Sequence, residues 1–281
     1  MNNSVLDLSI QNLMLAYIFI LFLILIFQWR GIKRQKQIVI ASLRMTLQLA
    51  VMGYILMYVF DHPSWWLSIL VVACMMAVAV FNAIKRVKGI ISKELKGILC
   101  ISMVAGFALT ALIFVGAVLC TDPWFDPQYF IPISSMFIGN CMTGMALAAN
   151  SMISSFRDKR GLIENALMLG ASCRRAAHEI VNDAFDSAIL PTMNSMMTMG
   201  LVTLPGMMTG QLMSGVFPLT AIKYQIAIML GILGCTSFSV VLFVLLGYRT
   251  FFTETEALKE IGLTEKVNAS KRAIKYTRIV K

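Results

Sequence analysis

Charge is scarce in this chain, and long polar stretches are scarcer still. Of its 281 residues, 14% are charged and 58% are hydrophobic, whereas a soluble domain carries roughly 25% charged residues. The apolar runs reach the roughly 20 residues that a helix needs to cross a bilayer. The sequence therefore predicts an all-α polytopic membrane protein and excludes an extended water-soluble domain beside the membrane part.

Groups that carry catalysis or hold metals are also sparse. The six cysteines are scattered without a Cys-x-x-Cys pair, so we expect small buried thiols and no disulfide or metal site. The two histidines, His62 and His178, fall on opposite predicted faces of the membrane. No paired acids, Ser/Lys pair or His cluster lies at bilayer depth, which argues against an intramembrane enzyme.

A nucleotide-binding loop is missing as well. The sequence contains no Gly-x-x-x-x-Gly-Lys-[Ser/Thr] motif. Any ATP hydrolysis must therefore come from a partner protein, and we expect no cofactor to be bound by this chain.

Seven apolar spans joined by short polar connections organise the sequence. Residues 1–248 are predicted to hold all of them, followed by a basic tail at 249–281 that begins as a helix. A Leu204-Pro205-Gly206 break interrupts the sixth span. The predicted spans are Leu13–Trp29, Ile38–Phe60, Trp65–Ile84, Gly97–Cys120, Tyr129–Phe156, Ala188–Gly215 and Ile222–Tyr248.

Basic residues are confined to one predicted side of the membrane. Alternate connections, together with the residues at the span ends and the tail, carry every lysine and arginine except Lys223. The positive-inside rule then places the N-terminus outside and the tail in the cytoplasm. The net charge of +10 indicates topology and attraction to anionic membrane lipid, with no nucleic-acid binding expected.

The longest polar interval before the tail runs from Arg157 to Pro191 and is predicted to be cytoplasmic. A short amphipathic helix pattern begins after its charged start and closes at Gly170, the expected residue at a helix end. A second amphipathic pattern then leads back toward the membrane. Such a helix can lodge in a groove of a partner, with Arg160, Arg174 and Arg175 available to acidic groups at the rim.

The segment Glu164–Gly170 fits the pattern Glu-x-Ala-x-x-x-Gly. It resembles the "EAA" loop of ABC transporter permeases, which forms a coupling helix in a cleft of the ATPase subunit. The family's later Leu-Pro is replaced here by Asn182-Asp183, and an ordinary surface helix is the alternative. The resemblance implies that contact with an ATPase is carried by Glu164, Ala166, Gly170, Arg174 and Arg175.

A wider resemblance covers about Ile38 to Tyr248. It rests on the segments Ser42–Tyr54, Phe81–Ala83, Pro132–Asn140, Ile189–Ser195, Gly200–Gly210 and Ala221–Ile226. These are similar to the bacterial iron-export ABC permeases of the Fet type and to plant aluminium-tolerance membrane subunits.

That resemblance implies a permease domain over residues 1–248, with a coupling segment at 157–187, in a bacterial inner membrane. It implies a separate ABC ATPase as partner, iron or another metal as exported substrate, and a second membrane half, most simply a homodimer. An ABC importer permease for a small solute is the alternative. A lone channel would leave the cytoplasmic helix unexplained.

Candidate pathway residues are polar side chains within the spans and the predicted helix break. Arg44 lies about one turn into the second span, where it could snorkel to the surface or form a structural pair. Asparagine amide oxygens suit hard cations, but helix–helix hydrogen bonds explain buried Asn equally well. The break in the sixth span could expose carbonyl groups or act as a kink or hinge. The candidate set is Arg44, Gln48, Asn82, Asn140, Asn194, Pro205 and Gly206.

Methionine is abundant, with 21 residues in the chain. Thioethers favour soft Cu(I), yet methionine is also a flexible packing residue. The seven methionines of the predicted sixth span are scattered around the helix, which favours packing. The sequence therefore leaves the metal ligands undefined.

Replacing Gly170 with a bulky residue, or Glu164 with Lys, is expected to uncouple the permease from its ATPase without loss of membrane insertion. The reason is that either change alters the helix that enters the ATPase cleft. Co-purification with the ATPase and ATP-driven turnover are the measurements. Retention of both in both variants would contradict the coupling-helix assignment.

Overall fold

Helices account for nearly all of the regular structure in this chain. The computed structural model describes residues 9–32, 34–87, 91–119, 123–253 and 256–259. The helices are α1 Ile10–Ala16, α2 Ile18–Trp29, α3 Gln35–Asp61, α4 Trp65–Arg86, α5 Lys93–Ile113, α6 Pro127–Asp158, α7 Arg160–Met168, α8 Cys173–Ala176, α9 His178–Thr198, α10 Gly206–Met213 and α11 Pro218–Gly247. A π-helical turn, Phe114–Leu119, extends α5, and a 3₁₀ turn, Tyr248–Phe251, follows α11.

The predicted all-α polytopic architecture is confirmed. Within the described ranges, six helical stretches are long and apolar enough to cross a membrane. Their ends fall within about four residues of six of the predicted spans because bilayer thickness sets the length of an apolar helix. The stretches are Gln11–Trp29, Gln35–Asp61, Trp65–Arg86, Lys93–Leu119, Pro127–Asp158 and Pro218–Phe251.

The predicted sixth span, Ala188–Gly215, is interrupted as expected, but its first helix begins earlier than predicted. The structure places α9 about ten residues earlier and ends it at Thr198, beyond which Gly200 adopts a positive φ of 84°. The short helix α10 then starts at Gly206 with Pro205 as its N-cap. The second amphipathic pattern predicted after Gly170 is therefore the first half of α9, whose inner positions Ile180, Ala184 and Ala188 are buried.

The core of the molecule is α11 packed against α5, α6 and α9. Small residues permit this close packing. A Cβ added to Gly106 on α5 would lie 2.7 Å from the backbone nitrogen of Ser239 on α11. A Cβ on Gly144 of α6 would lie 2.5 Å from Cγ2 of Thr236 and 3.3 Å from the Ala188 carbonyl oxygen. Three helices therefore meet at Gly144.

The two ends of the helical bundle differ in charge. We call the end where α6 stops and α9 starts the basic end. There Asn150 Nδ2 donates to the Arg86 carbonyl oxygen at 3.3 Å, and Phe156 stacks on Phe251 with ring centroids 4.2 Å apart. At the opposite end, Tyr129 stacks on Tyr224. Of the lysines and arginines in the described part of the chain, Lys223 alone lies at that end.

The N-terminal hairpin of α1, α2 and α3 stands beside this core. Tyr17 and Thr46 share a side-chain hydrogen bond between the two arms of the hairpin. Val59, near the end of α3, is the one residue of that helix that is buried. Most of the hairpin surface is therefore free to meet lipid or another protein.

The predicted tail begins in helix, since the 3₁₀ turn covers its first three residues, to Phe251. After this turn an antiparallel bridge joins Phe252 to Leu258. We call residues 252, 253 and 256–259 the C-terminal strap. The remainder of the predicted tail, 260–281, lies outside the described residues.

A Gly106→Ala substitution should destabilise the protein by about 1–3 kcal/mol, because an added methyl group meets helix backbone that cannot rotate away. The measurement is thermal unfolding in detergent, followed by a thiol-reactive dye that reports exposure of the buried Cys141 and Cys235. Gly139→Ala is the control, since nothing lies within 4 Å of the added carbon. Equal melting temperatures for the two variants would contradict the packing described above.

Candidate coupling helix and membrane cavity

Helix α7 lies at the basic end between two helices of the core. Its first turn carries an ion pair between Arg160 Nε and Glu164 Oε1 at 2.7 Å, at i,i+4 spacing. Its end is a Schellman motif in which Gly170, with φ of 85°, donates to the Leu167 carbonyl and Ala171 donates to the Ala166 carbonyl. The predicted stop at Gly170 is confirmed, and a side chain there would be strained.

The two faces of α7 have different surroundings. Ile163 is only 2% exposed and anchors the helix on the core, and Leu167 packs beside it. On the outer face Met168 and Leu169 are 84% and 89% exposed, and Leu162 is also exposed. An apolar outer face on a helix beyond the apolar spans marks a contact surface.

Lys159 joins the end of α6 to the start of α9, where the α7–α8 segment leaves and returns. Its Nζ lies 2.9 Å from Glu179 Oε1 and 3.0 Å from Asp183 Oδ2, and both partners are on α9. Hydrogen bonds from Lys159 to these two carboxylates raise the pKa of the lysine. The end of α6 is thereby held to the start of α9, so α7 and α8 form a closed excursion between two paired helices.

An open groove of about 670 Å³ separates α7 and α8 from the C-terminal strap. Cys173 Sγ lies 3.7 Å from the Glu256 carbonyl oxygen, and Lys259 Nζ lies 3.7 Å from Glu94 Oε2, which positions the strap. Partial burial, and then the Glu256 carboxylate, raise the pKa of the Cys173 thiol. The groove is lined by Glu164, Leu167, Met168, Gly170, Ala171, Ser172, Glu256, Ala257 and Leu258.

Basic side chains flank this groove. Arg174 and Arg175 on α8 are exposed, and neither forms an ion pair with any residue in the described ranges. With Ser172 and His178 they border a second open depression of about 420 Å³. The structure therefore brings the five predicted coupling residues to one end of the molecule, on α7, on α8 and at the turn between them.

The predicted pathway residues do not converge on one place. Arg44 and Gln48 are exposed on α3, away from the core, and Asn82 is half-buried on α4. Asn194 is exposed on α9. A place for each of these four residues on a transport pathway stays a prediction.

The predicted helix break at Pro205 and Gly206 is present. Helix α9 ends at Thr198, and α10 begins at Gly206 with Pro205 as its N-cap, at the end of the molecule away from the basic end. Leu201 and Val202 belong to the exposed turn between these helices. The proline that does lie inside α9 is Pro191.

Asn140 belongs to a small cavity between α6, α9 and α11. The cavity has a volume of about 80 Å³ and opens on the face shared by α6 and α9. Sequence reasoning missed its other polar members, because hydroxyl side chains are common in membrane helices. Its lining is Asn140, Thr143, Gly144, Ala188, Pro191, Thr192, Ser195 and Met229.

Acid, thiol and imidazole side chains do not gather into a metal site. Among the residues that the structure describes, no group of three or more His, Cys, Asp or Glu could hold a metal ion.

The fold and these sites define a helical membrane protein with a short extramembrane helix between two core helices. A family model described as "Uncharacterised protein family (UPF0014)" matches residues 10–252, and the chain belongs to this family. No solved structure matches it.

The similarity to several named proteins covers most of this chain and most of each of those proteins. The "Probable iron export permease protein FetB" of Escherichia coli is 32% identical over 256 residues, which is 91% of this chain and 97% of that protein. The "UPF0014 membrane protein slr1647" of Synechocystis is 35% identical over 84% of this chain and 90% of its own. The "Protein ALUMINUM SENSITIVE 3" of Arabidopsis thaliana is 30% identical over 87% and 88%. The resemblance drawn from the sequence motifs is confirmed.

A Lys159→Met substitution should loosen the α7–α8 segment, since Glu179 and Asp183 lose their shared cation. Faster trypsin cleavage at Arg174 and Arg175 in detergent is the expected result. Because the folded-state pKa of Lys159 is raised, its contribution is complete below the ordinary lysine pKa and is lost as pH rises through the raised value. Arg157→Met is the control, since Arg157 pairs only with its neighbour Asp158. Equal cleavage rates in the two variants would show that the Lys159 pairs do not hold this segment.

Proposed function

We propose that this chain is the membrane permease subunit of an ABC transporter that exports iron or a related metal cation. The observation that carries the proposal is α7, a short helix held rigidly between α6 and α9 and apolar on its outer face. A rigid element of this kind can transmit a movement of a partner into the helices attached to it. The similarity to a relative named as an iron export permease supports the substrate class.

The engine of this transporter is a separate ATPase, and the permease itself is not an enzyme. The basic end faces the cytoplasm under the positive-inside rule, which puts α7 where ATP is present. Met168 and Leu169 enter an apolar cleft, and the unpaired Arg174 and Arg175 meet acidic groups at its rim. Arg160, which the sequence offered for the same task, is already paired with Glu164.

Two copies of the chain form the complete transporter in a bacterial inner membrane. The face shared by α6 and α9 exposes Asn140, Thr143 and Ser195, and polar groups are costly against lipid. A second copy encloses that face and creates a pathway between the two halves. Lipid covers the remaining apolar surface, and the basic end attracts anionic headgroups.

An importer for a small solute is the second candidate, because coupling helices serve both transport directions. Inside-out vesicles that contain the chain and its ATPase separate the two possibilities. ATP-driven accumulation of radioactive Fe²⁺ in these vesicles indicates export. ATP-driven loss of preloaded Fe²⁺ indicates import.

The double substitution Met168→Glu/Leu169→Glu should abolish co-purification with the ATPase and leave membrane insertion intact, because two charges replace the apolar contact surface. The control is Leu201→Glu/Leu204→Glu, which places the same charges on exposed leucines at the opposite end. Pull-down of the ATPase from detergent extracts is the measurement. Full recovery of the ATPase with the first variant, or its loss with both variants, would refute docking on α7.

A further inference from the structure

The cavity between α6, α9 and α11 lies near the middle of the longest core helix. Asn140 stands about 20 Å from the start of α6 and about 27 Å from its end, at 1.5 Å per residue. The cavity volume of about 80 Å³ compares with a share of about 30 Å³ for each molecule in liquid water. It is therefore large enough for a small ion together with one or two waters.

Three polar side chains of the cavity donate to carbonyl groups of their own helices. Asn140 Nδ2 donates to the Met136 carbonyl at 2.8 Å, Thr143 Oγ1 donates to the Gly139 carbonyl at 3.2 Å, and Ser195 Oγ donates to the Pro191 carbonyl at 3.0 Å. Each side chain keeps an oxygen with free lone pairs, and the Asn140 amide also keeps a second N–H.

Thr192 adds a fourth oxygen, and its hydroxyl does not make the intrahelical hydrogen bond that the other three side chains make. Its side chain is only 8% exposed and lines the cavity. None of the hydrogen bonds within the described ranges involves its hydroxyl. The hydroxyl is therefore available to a ligand or a water molecule in the cavity.

The rest of the wall supplies no proton donor. Pro191 has no N–H group, and Met229 contributes a thioether. An anion would find only the Thr192 hydroxyl and one N–H of Asn140, and no positive charge, to bind it. A cation would find several oxygen atoms, which are the ligands that hard divalent ions prefer.

We infer that this cavity is a binding station for a partly hydrated, hard divalent cation, held by the oxygens of Asn140, Thr143, Thr192 and Ser195. The inference deepens the proposed function and rests on it for the role of the station in transport. The ligands are neutral, so binding is weak and reversible, as a transport pathway requires. The single sulfur of Met229 contributes packing and is not a required ligand.

Mn²⁺ binding to the purified full chain in lipid nanodiscs, followed by electron paramagnetic resonance, tests the station. The double variant Thr143→Val/Thr192→Val keeps side-chain volume and removes two oxygens, so Mn²⁺ binding should weaken about tenfold or more. Ser135→Ala is the matched control, because Ser135 on α6 also donates to its own helix, at the Pro132 carbonyl, but lies outside the cavity. Met229→Leu should leave Mn²⁺ binding unchanged.

A substitution that strengthens binding guards against misfolding of the valine variant. Asn140→Asp is nearly isosteric and adds a negative charge, so Mn²⁺ should bind about tenfold tighter at neutral pH. A folding defect cannot produce that gain. Unchanged Mn²⁺ affinity in both the valine and the aspartate variants overturns the inference. Loss of Mn²⁺ binding in Met229→Leu alone also overturns it, because the site would then depend on sulfur.

Vesicles that contain the ATPase separate this inference from the proposed function. If Mn²⁺ binding follows the variants but the wild-type chain supports no ATP-driven flux of Mn²⁺ or Fe²⁺, the station stands and the transport role fails. If flux is robust and the valine double variant does not change it, the permease role stands and the station is refuted.

Discussion

The close approach of α6, α9 and α11 around Gly144 is the constraint on which the rest of the structure depends. A side chain at this position would collide with Thr236 on α11 and would press on the Ala188 carbonyl on α9. Because the three backbones meet here, they close the cavity on one side. The same contact fixes the register of α9 against α6, which in turn sets Glu179 and Asp183 opposite Lys159. One small residue therefore positions both the cavity and the base of α7.

Helix α7 and the cavity are joined by continuous helix. From Lys159 to Asn140 the chain runs along α6 for about 28 Å at 1.5 Å per residue, and α9 runs antiparallel beside it from Glu179 to Ser195. Lys159 ties the two helices at the end where α7 is attached. A displacement of α7 is therefore shared by both walls of the cavity, and the pair moves as one body until a helix bends. Pro132 in α6 and Pro191 in α9 are the interior positions where such bending is easiest.

Much of the fold could be predicted because bilayer thickness fixes the length of apolar runs, and six predicted spans match helices of the structure. The predicted sixth span starts ten residues after α9 does, because an apolar run marks only the oily part of a helix. The polar first half of α9 shows itself as an amphipathic pattern, in which Ile180, Ala184 and Ala188 form the buried stripe. The ion pairs of Lys159 join residues 20 and 24 positions apart, and only the turn through α7 and α8 brings them together. Asn140 could be singled out as a polar residue within a span. Thr143, Thr192 and Ser195 could not, since a hydroxyl gains meaning only from its neighbours in space.

The C-terminal strap has a consequence for the order in which the molecule is made. The groove beside α7 takes one wall from α7 and α8 and the other from residues 256–258, which are synthesised after α11. Stacking of Phe251 on Phe156 joins this late segment to the end of α6. A nascent chain that has inserted only α1 to α9 exposes α7 before the second wall of the groove has been made. The groove is therefore completed only after translation has passed α11, and a prematurely terminated chain has only one of its two walls.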